Sequence, residues 1–524
     1  MKDFFRVLMG KVPRGDTTRF LHEQKMPQAR WTGLEDIYDS AALRFDPDNP
    51  GERVLLGALD DRLIGIADNR HGITFAGSRA GKSVTLTSNL LFYRGSVLAT
   101  DPKGELARLT AARREALGQK VYVLDPFNYA PERIGHLRAR YNPLSVLRTD
   151  SPTLIEDANL IADAIVVPAP QSKDPHWDES ARDFIEGLIL HVITSPDHEG
   201  ARNLVTVREL IQRVREDESS ADDEDEYLFV LERAMLENAL RLQGDPKTAD
   251  IGLAIEGSAR SFYEKADRER DSALSTIRRH TKFLDYPALR NALSGHDFDL
   301  ADLKRDPAGV TVYLCFPATR IDMAGRWLRI FINQLLDAME REKAATAAPV
   351  LACLDEFPVL GYMRQLENAV GQIASFGVKL WVIVQDFSQI KALYGERAES
   401  FIANAGFIQC FGITDIATAE YVSRMLGKTP VEITREGEVS PEQAAQGLTG
   451  KSSVIELHDL LTADEITRQF ARSDPDRKQL VIWAGVDPLI VQRVEWFDKS
   501  SPVYEHFAGL VPDESAATRD GAQA

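Results

Sequence analysis

A run of small residues near residue 80 has the composition of a phosphate-binding loop. The loop comprises Ala76, Gly77, Ser78, Arg79, Ala80, Gly81, Lys82 and Ser83. Small residues let successive backbone N–H groups curl around phosphate oxygens, and a helix that begins after such a loop directs the positive end of its dipole at them. Lys82 is predicted to reach the β- and γ-phosphates, and the Ser83 hydroxyl to bind Mg²⁺.

This loop departs at one position from the pattern G-x-x-x-x-G-K-[ST]. Ala76 stands where the first glycine is expected. A methyl group at the edge of the loop is compatible with phosphate binding, so we interpret the stretch as a variant of the motif. The alternative is an ordinary glycine-rich turn.

An acidic pair forms the second half of the predicted site. Asp355 and Glu356 directly follow an apolar run over residues 349–354. Asp355 could hold Mg²⁺ through water, and Glu356 could polarise the attacking water as a general base. The alternative is an acidic helix start after a strand.

Two further polar groups follow apolar runs. Gln385 ends the run over residues 378–384, where its amide could sense the γ-phosphate or could cap the next helix. Lys103 lies in the segment Asp-Pro-Lys-Gly-Glu that begins at Asp101. Lys103 could have a conformational role near a nucleotide, although a well-capped turn would explain the same residues.

Alternating strands and helices are predicted to position these groups. A hairpin over residues 53–66 precedes a strand over 72–75, a helix over 84–93 and a strand over 96–99. Further strands are predicted over 120–124, 310–316, 349–354, 378–384, 407–411, 480–483 and 489–494, and helices over 323–342, 362–375 and 416–426. The pattern favours an α/β fold with a mostly parallel sheet and ligands at the carboxyl ends of the strands.

The character of the chain changes between residues 151 and 294. Apolar residues recur there with a helical period over 154–166, 176–193, 205–214, 227–242 and 251–280, which predicts an all-helical insertion. The insertion contains an acidic tract, residues 216–226, that could be a solvated loop or a docking site for a basic partner. The predicted divisions are an N-terminal extension (1–50), a nucleotide-binding domain (51–150 and 295–511), the insertion (151–294) and a disordered tail (512–524).

Composition limits the class of protein. The chain has 524 residues and a net charge of −18, which argues against a protein that coats nucleic acid generally. Cys315, Cys353 and Cys410 lie in apolar runs and lack metal-ligand spacing, so buried reduced thiols are expected. No run approaches 18 uninterrupted apolar residues, so a soluble chain is expected.

Several segments together resemble a known family. GSRAGKS, DPKGEL, YNPLSVL, LACLDEFPVLG and GVKLWVIVQDFSQIKALYG are similar to segments of the type IV secretion coupling proteins, the ATPases of conjugative DNA transfer. The resemblance extends from about residue 71 to residue 497. It implies a RecA-like P-loop NTPase domain with an inserted all-α domain, in which Lys82 and Ser83, Asp355 and Glu356, and Gln385 match the Walker A, Walker B and third motifs.

The resemblance also implies partners and cofactors. ATP and Mg²⁺ are expected at the interfaces of a homo-oligomeric, usually hexameric, ring that passes a relaxase–DNA complex or protein effectors to a type IV secretion channel. An interfacial site predicts an arginine supplied by the neighbouring subunit, for which the candidates are Arg278, Arg279, Arg320 and Arg424. Basic residues within 364–379 or 391–397 could line the ring, although a solvated surface is the default interpretation of these segments, and a surface salt bridge is the default for each of the four arginines.

One departure from the family concerns the membrane. Members carry an N-terminal transmembrane pair, and the sequence suggests none here, so we expect a cytoplasmic protein whose membrane contact is made through partners.

Three functions remain open: a motor for DNA, the same motor serving protein effectors, and a recruitment scaffold whose assembly ATP controls.

Overall fold

The computed structural model describes residues 28–168, 176–216, 229–436 and 451–512. Predictions for residues 1–27, 217–226 and 513–524 lie outside this range. The chain forms two compact units, one from Met1–Tyr93 and Trp381–Ala508 and the other from Arg94–Leu380 and Gly509–Ala524. Each unit contains strands that carry predicted site residues.

The sheet of the first unit is built around the strand that leads into the phosphate loop. The strands are β1 Val54–Leu59, β2 Arg62–Ile66, β3 Gly72–Ala76, β8 Val378–Val384, β9 Phe407–Phe411, β12 Lys478–Trp483 and β13 Leu489–Gln492. The strand that leads into the loop, β3, is parallel to β8 and to β9, with Gly72 opposite both Trp381 and Phe407. Beyond β9 the strands β12, β13, β1 and β2 follow in antiparallel order.

Apart from the first, the helices of the first unit follow its strands in sequence. The hairpin predicted over residues 53–66 is confirmed as β1 and β2. The helices are α1 Leu34–Asp39, α2 Lys82–Leu90, α14 Phe387–Tyr394, α15 Ala398–Ala403, α16 Ile416–Leu426 and α17 Ala463–Gln469.

The second unit contains a purely parallel set of strands in the order β7 (Val350–Leu354), β4 (Val97–Asp101), β6 (Val310–Cys315), β5 (Lys120–Leu124). All residues of β4, β6 and β7 are buried, as expected for strands covered on both faces. The elements here are β4 Val97–Asp101, α3 Glu105–Ala116, β5 Lys120–Leu124, α11 Asp302–Arg305, β6 Val310–Cys315, α12 Ile321–Arg341, β7 Val350–Leu354 and α13 Arg364–Ala369. Trp327 and Phe331 of α12 are fully buried and meet edge to face.

The predicted all-helical insertion lies between β5 and β6. Its helices are α4 Leu154–Ile165, α5 His176–Thr194, α6 Leu204–Gln212, α7 Val230–Gln243, α8 Ala249–Tyr263, α9 Asp267–His280 and α10 Pro287–Ser294. The stretch predicted as one helix over residues 251–280 is two, because Ala266 adopts an extended conformation immediately before α9. The α/β class with a helical insertion is confirmed.

Two local predictions are wrong. The polar stretch 431–452 predicts a loop and no strand, but its described part belongs to a hairpin of β10 Lys428–Glu436 and β11 Lys451–Asp459, paired along nine positions. Alternation of Val431 and Ile433 with polar residues is a strand signal that the polar composition hid. The helix predicted over 362–375 is only α13 followed by a 3₁₀ turn at Ile373–Phe376.

Burial agrees with the expectation for the cysteines. All three are buried free thiols, and burial raises the pKa of each. Within the described ranges, no helix combines the length and the hydropathy needed to cross a bilayer.

Candidate functional site

The phosphate loop joins the buried strand β3 to the start of α2. Gly81 has φ 106° and Arg79 has φ 57°, so the backbone passes twice through the left-handed region before Lys82. The Ala80 N–H donates to the Gly77 carbonyl at 3.2 Å and closes the turn. Nothing lies within 4 Å of the position that a Cβ of Gly81 would occupy. The loop is therefore open at Gly81, beside the N-terminus of α2.

Close packing supports the opposite side of this loop. A Cβ at Gly77 would lie 2.2 Å from the Gly412 carbonyl oxygen, so only glycine fits. Ala76 is fully buried in a small cluster with Ala80 and Phe411. This cluster accounts for the departure from the motif, because the extra methyl group packs against the interior and away from the open side of the loop.

Arg493 is a supporting residue that the sequence did not reveal. Its guanidinium is nearly buried and donates to the Ala80 carbonyl at 2.8 Å and to the Arg472 carbonyl at 3.2 Å. The same group lies 5.5 Å from the centre of the Phe411 ring. Burial lowers its pKa, but an arginine stays protonated at neutral pH. Because Arg493 lies more than 400 residues from the loop, no local pattern could identify it.

The acidic pair follows the fully buried strand β7. Asp355 is 6% exposed, and its backbone carbonyl accepts a hydrogen bond of 2.8 Å from the Thr100 hydroxyl. Glu356 has φ 55° and ψ 46°, a left-handed conformation that costs a non-glycine residue about 1 kcal/mol. A 3₁₀ turn, Phe357–Leu360, follows it. Strain of this kind is concentrated at functional sites, which makes Glu356 a candidate for a reacting group.

The capping residue of α14 is Asp386. Its carboxylate accepts from the Gln389 backbone N–H at 3.0 Å, while the Gln389 side chain accepts from the Gln385 N–H at 2.9 Å. The alternative role for Gln385 as the helix cap is therefore wrong. Its role as a γ-phosphate sensor stays a prediction.

The segment around Lys103 forms a capped turn. The buried Asp101 carboxylate accepts from the Glu105 and Ala107 N–H groups, each at 2.9 Å, and Gly104 supplies a left-handed residue. Burial raises the pKa of Asp101 to about 6, and these hydrogen bonds oppose the rise. Asp125 forms a similar turn by accepting two backbone N–H groups, and a Cβ at Gly104 would lie 3.5 Å from the second turn. The capped-turn interpretation explains these residues.

The predicted site residues are divided between the two units. Residues 76–83 and Gln385 belong to the first unit, whereas Asp355, Glu356 and Asp101 belong to the second. Within the described ranges, no three His, Cys, Asp or Glu side chains group as a metal site. Magnesium in phosphate-handling enzymes is held by one or two protein ligands together with substrate phosphates, so residues such as Ser83 and Asp355 have the right chemistry.

Three of the four candidate trans arginines contact a neighbour within their own unit. Arg279 lies 3.3 Å from Asp178, Arg320 stacks over Phe127 at 5.3 Å, and Arg424 stacks over Tyr421 at 5.7 Å. Burial lowers the pKa of Arg278, the fourth. These contacts do not favour one candidate, and the trans arginine stays a prediction.

One expected ring-lining residue is wrongly assigned. Lys379 is fully buried within β8, so it cannot belong to a solvent-facing basic surface. The strand alternates its side chains between two covered faces, which leaves neither face to solvent. Arg364 and Lys391 are exposed and remain compatible with such a surface.

Comparison with known proteins identifies the family. The family model described as type IV secretory system conjugative DNA transfer matches residues 24–519. A conjugal transfer protein TraG of Escherichia coli is 27% identical over 415 residues, which are 76% of this chain and 61% of that protein. The type IV secretion system-coupling protein VirD4 of Bartonella quintana is 26% identical over 440 residues, 82% of this chain and 63% of that protein. The chain thus spans less than two thirds of each of these relatives.

Solved structures support the fold. The bacterial conjugative coupling protein TrwBdeltaN70, in an unbound form, superposes with a TM-score of 0.59 at 14% identity, over 87% of this chain and 96% of that one. The plasmid coupling protein TrwB in complex with ADP and Mg²⁺ gives 0.58 at 16% identity, over 85% and 95%. The resemblance inferred from the sequence motifs is confirmed. The chain belongs to the type IV secretory system conjugative DNA transfer family.

Proposed function

We propose that this protein is an ATP-hydrolysing coupling protein that recruits DNA, as a relaxase–DNA complex, and moves it toward a type IV secretion system. The observation that carries the proposal is the phosphate loop, which is open at Gly81, supported behind by Gly412 and Arg493, and continuous with the N-terminus of α2. The nucleotide and Mg²⁺ in a solved TrwB structure of the same fold support ATP and Mg²⁺ as the ligands.

The donor set of the loop fits a triphosphate. Backbone N–H groups of a loop with two left-handed residues, followed by the N-terminus of a helix, form an anion-binding concavity. Lys82 supplies a cation toward the β- and γ-phosphates, and Ser83 supplies a hydroxyl ligand. Bound Mg²⁺ would neutralise charge on the phosphate oxygens.

The acidic pair supplies the remaining functions. Asp355 helps to hold the metal through water, and Glu356 accepts a proton from the attacking water as general base. Gln385 senses the presence of the γ-phosphate. In a homo-oligomeric ring, an arginine from the neighbouring subunit adds charge stabilisation, and hydrolysis is then linked to movement of the cargo.

Two substitutions test these assignments by phosphate release and nucleotide binding. Glu356→Gln should lower kcat at least about 100-fold while ATP still binds, because the loss of a general base affects the chemical step. Lys82→Ala should weaken ATP binding. Glu340→Gln and Lys499→Ala, at exposed positions, are matched controls that should turn over normally. Wild-type turnover in Glu356→Gln or Lys82→Ala would contradict the assignment.

The same assays distinguish the other two functions from DNA transfer. A motor that serves protein effectors would hydrolyse ATP without responding to DNA. A recruitment scaffold would bind ATP without turnover at any protein concentration. Membrane attachment through partners also belongs to this proposal, and it predicts that the chain is recovered with membranes only when its secretion partners are present.

A further inference from the structure

Arg329 lies at the centre of a buried set of backbone hydrogen bonds. It occupies the middle of α12 and is 3% exposed. One terminal nitrogen, Nη1, donates to the Leu360 carbonyl at 2.9 Å and to the Tyr362 carbonyl at 2.5 Å. Nε donates to the Ala164 carbonyl at 3.0 Å, and Nη2 donates to the Asp163 carbonyl at 3.2 Å. A single guanidinium therefore connects two chain segments that are almost 200 residues apart.

The first of these segments follows the candidate general base. Glu356 leads into the 3₁₀ turn Phe357–Leu360, and Arg329 holds the end of that turn through the carbonyls of Leu360 and Tyr362. Gly361, between them, has φ 64°. The backbone from Glu356 to Tyr362 is thus fixed at one end by the strand β7 and at the other end by Arg329.

The second segment is the C-terminal end of α4, the first helix of the all-helical insertion. The last four carbonyls of a helix lack donors within the helix and carry the negative end of its dipole. Arg329 donates hydrogen bonds to the carbonyls of Asp163 and Ala164, and Arg326 donates to the Ile165 carbonyl at 3.2 Å. Two arginines one turn apart on α12 therefore hold the end of this helix.

Neighbouring contacts make the connection close-packed. A Cβ at Gly325 would lie 2.7 Å from the Val359 carbonyl oxygen, so α12 lies directly against the 3₁₀ turn. Arg326 also lies 3.4 Å from Nδ1 of His280, and Nε2 of His280 lies 2.9 Å from Asp178. These contacts extend the connection from α12 to α9 and α5 of the insertion.

We propose that Arg329 is a positioning residue that couples the segment after Glu356 to the C-terminal end of α4, so that a movement at Glu356 during hydrolysis is passed to the all-helical insertion. The inference rests on the proposed role of Glu356. A guanidinium suits this task because its planar fork presents five N–H donors in fixed directions, whereas a lysine presents one compact ammonium group.

The first test compares Arg329→Gln, Arg329→Lys and Arg341→Gln by steady-state ATP hydrolysis per folded protein. Arg341 is the matched control, because it lies on the same helix and pairs with Asp157 of α4, away from the Glu356 segment. Arg329→Gln should lower kcat about tenfold and leave the KM for ATP within about twofold, since the chemical step and not the phosphate loop is affected. Arg329→Lys should recover part of the loss, and Arg341→Gln should keep the wild-type kcat. A kcat for Arg329→Gln equal to that of Arg341→Gln would overturn the proposal.

The second test uses the wild-type protein, so it does not depend on the variants folding. Hydrogen exchange is followed with and without a non-hydrolysable ATP analogue in peptides that cover residues 356–363 and 160–168. Coupling predicts that protection changes in both segments together. A change in the first segment without the second, or no change in either, would overturn the proposal.

The two proposals fail in different ways. Wild-type turnover in Glu356→Gln would disprove the role of Glu356 as general base. It would not change the hydrogen-exchange result for residues 356–363 and 160–168. Independent exchange of the two segments in a protein that needs Glu356 for turnover would remove the coupling role of Arg329 alone.

Discussion

At the residue scale, the phosphate loop depends on contacts that only particular residue types allow. Gly77 meets the Gly412 carbonyl oxygen, Ala76 fills a small apolar cluster, and Gly81 opens the loop. The motif predicts which residues of the loop would face a phosphate. The cause of the alanine at position 76 could not be predicted, since it lies in Phe411, more than 300 residues away in the chain.

Gly77→Ala should displace the phosphate loop from the Gly412 carbonyl oxygen and weaken ATP binding. A Cβ placed 2.2 Å from a backbone oxygen forces the loop or the strand end to move, and overpacking of this kind costs about 1–3 kcal/mol. We expect ATP affinity to fall about tenfold or more, measured by isothermal titration. Gly257→Ala is the control, because nothing lies within 4 Å of its Cβ position. An unchanged affinity in Gly77→Ala would show that the loop is not held by this contact.

The buried arginines were invisible to sequence reasoning for the same reason. Arg493 and Arg329 donate to backbone carbonyls. Every residue type has a backbone carbonyl, so the sequence does not show which residues accept these hydrogen bonds. Lys82, Ser83, Asp355 and Glu356 could be proposed as site residues from the sequence, because phosphate transfer uses side chains of these types, and their roles stay predictions.

At the element scale, local periodicity predicted most strands and helices correctly. β7 and β8 are mainly apolar runs that end just before a polar residue, and α5 has an extended apolar face. The hairpin of β10 and β11 was missed because its pairing joins segments separated by a polar stretch. The order of the strands in the sheet could not be predicted either, because neighbouring strands such as β3 and β9 are more than 300 residues apart in the chain.

The helical insertion should lose stability in mild acid through His191. This histidine of α5 is buried beside His198 and Asn238, and burial lowers its pKa from 6.5 to about 3. The unfolded chain therefore binds a proton below about pH 6.5 that the folded chain excludes, so stability is present above that pH and is lost as pH falls toward 3.

Urea unfolding of wild type and His191→Gln between pH 7 and pH 5 tests this prediction. Between these limits the wild-type free energy of unfolding should fall by about 2 kcal/mol more than that of the variant. His136→Gln, at a largely exposed site, is the control and should follow the wild type. Equal losses in wild type and His191→Gln would show that His191 does not govern the acid response.

At the scale of the whole molecule, the family and the fold were predictable, but the cargo was not. Short motifs distributed from residue 77 to residue 395 indicate the family, and the family model covers residues 24–519. A net charge of −18 is an average that does not describe local surfaces, so it does not distinguish DNA from protein as the proposed cargo. The chain matches only part of each relative, so the proposed secretion partners have to be identified by experiment.

Under the proposed function, ATP hydrolysis with Glu356 as general base serves DNA movement. The most direct measurement is the phosphate-release rate of the wild type with no DNA, with single-stranded DNA and with double-stranded DNA, while light scattering follows assembly. We predict that DNA raises turnover several-fold together with formation of a larger assembly, and that Glu356→Gln assembles without turnover. Turnover and assembly that are indifferent to both kinds of DNA would contradict a role in DNA movement.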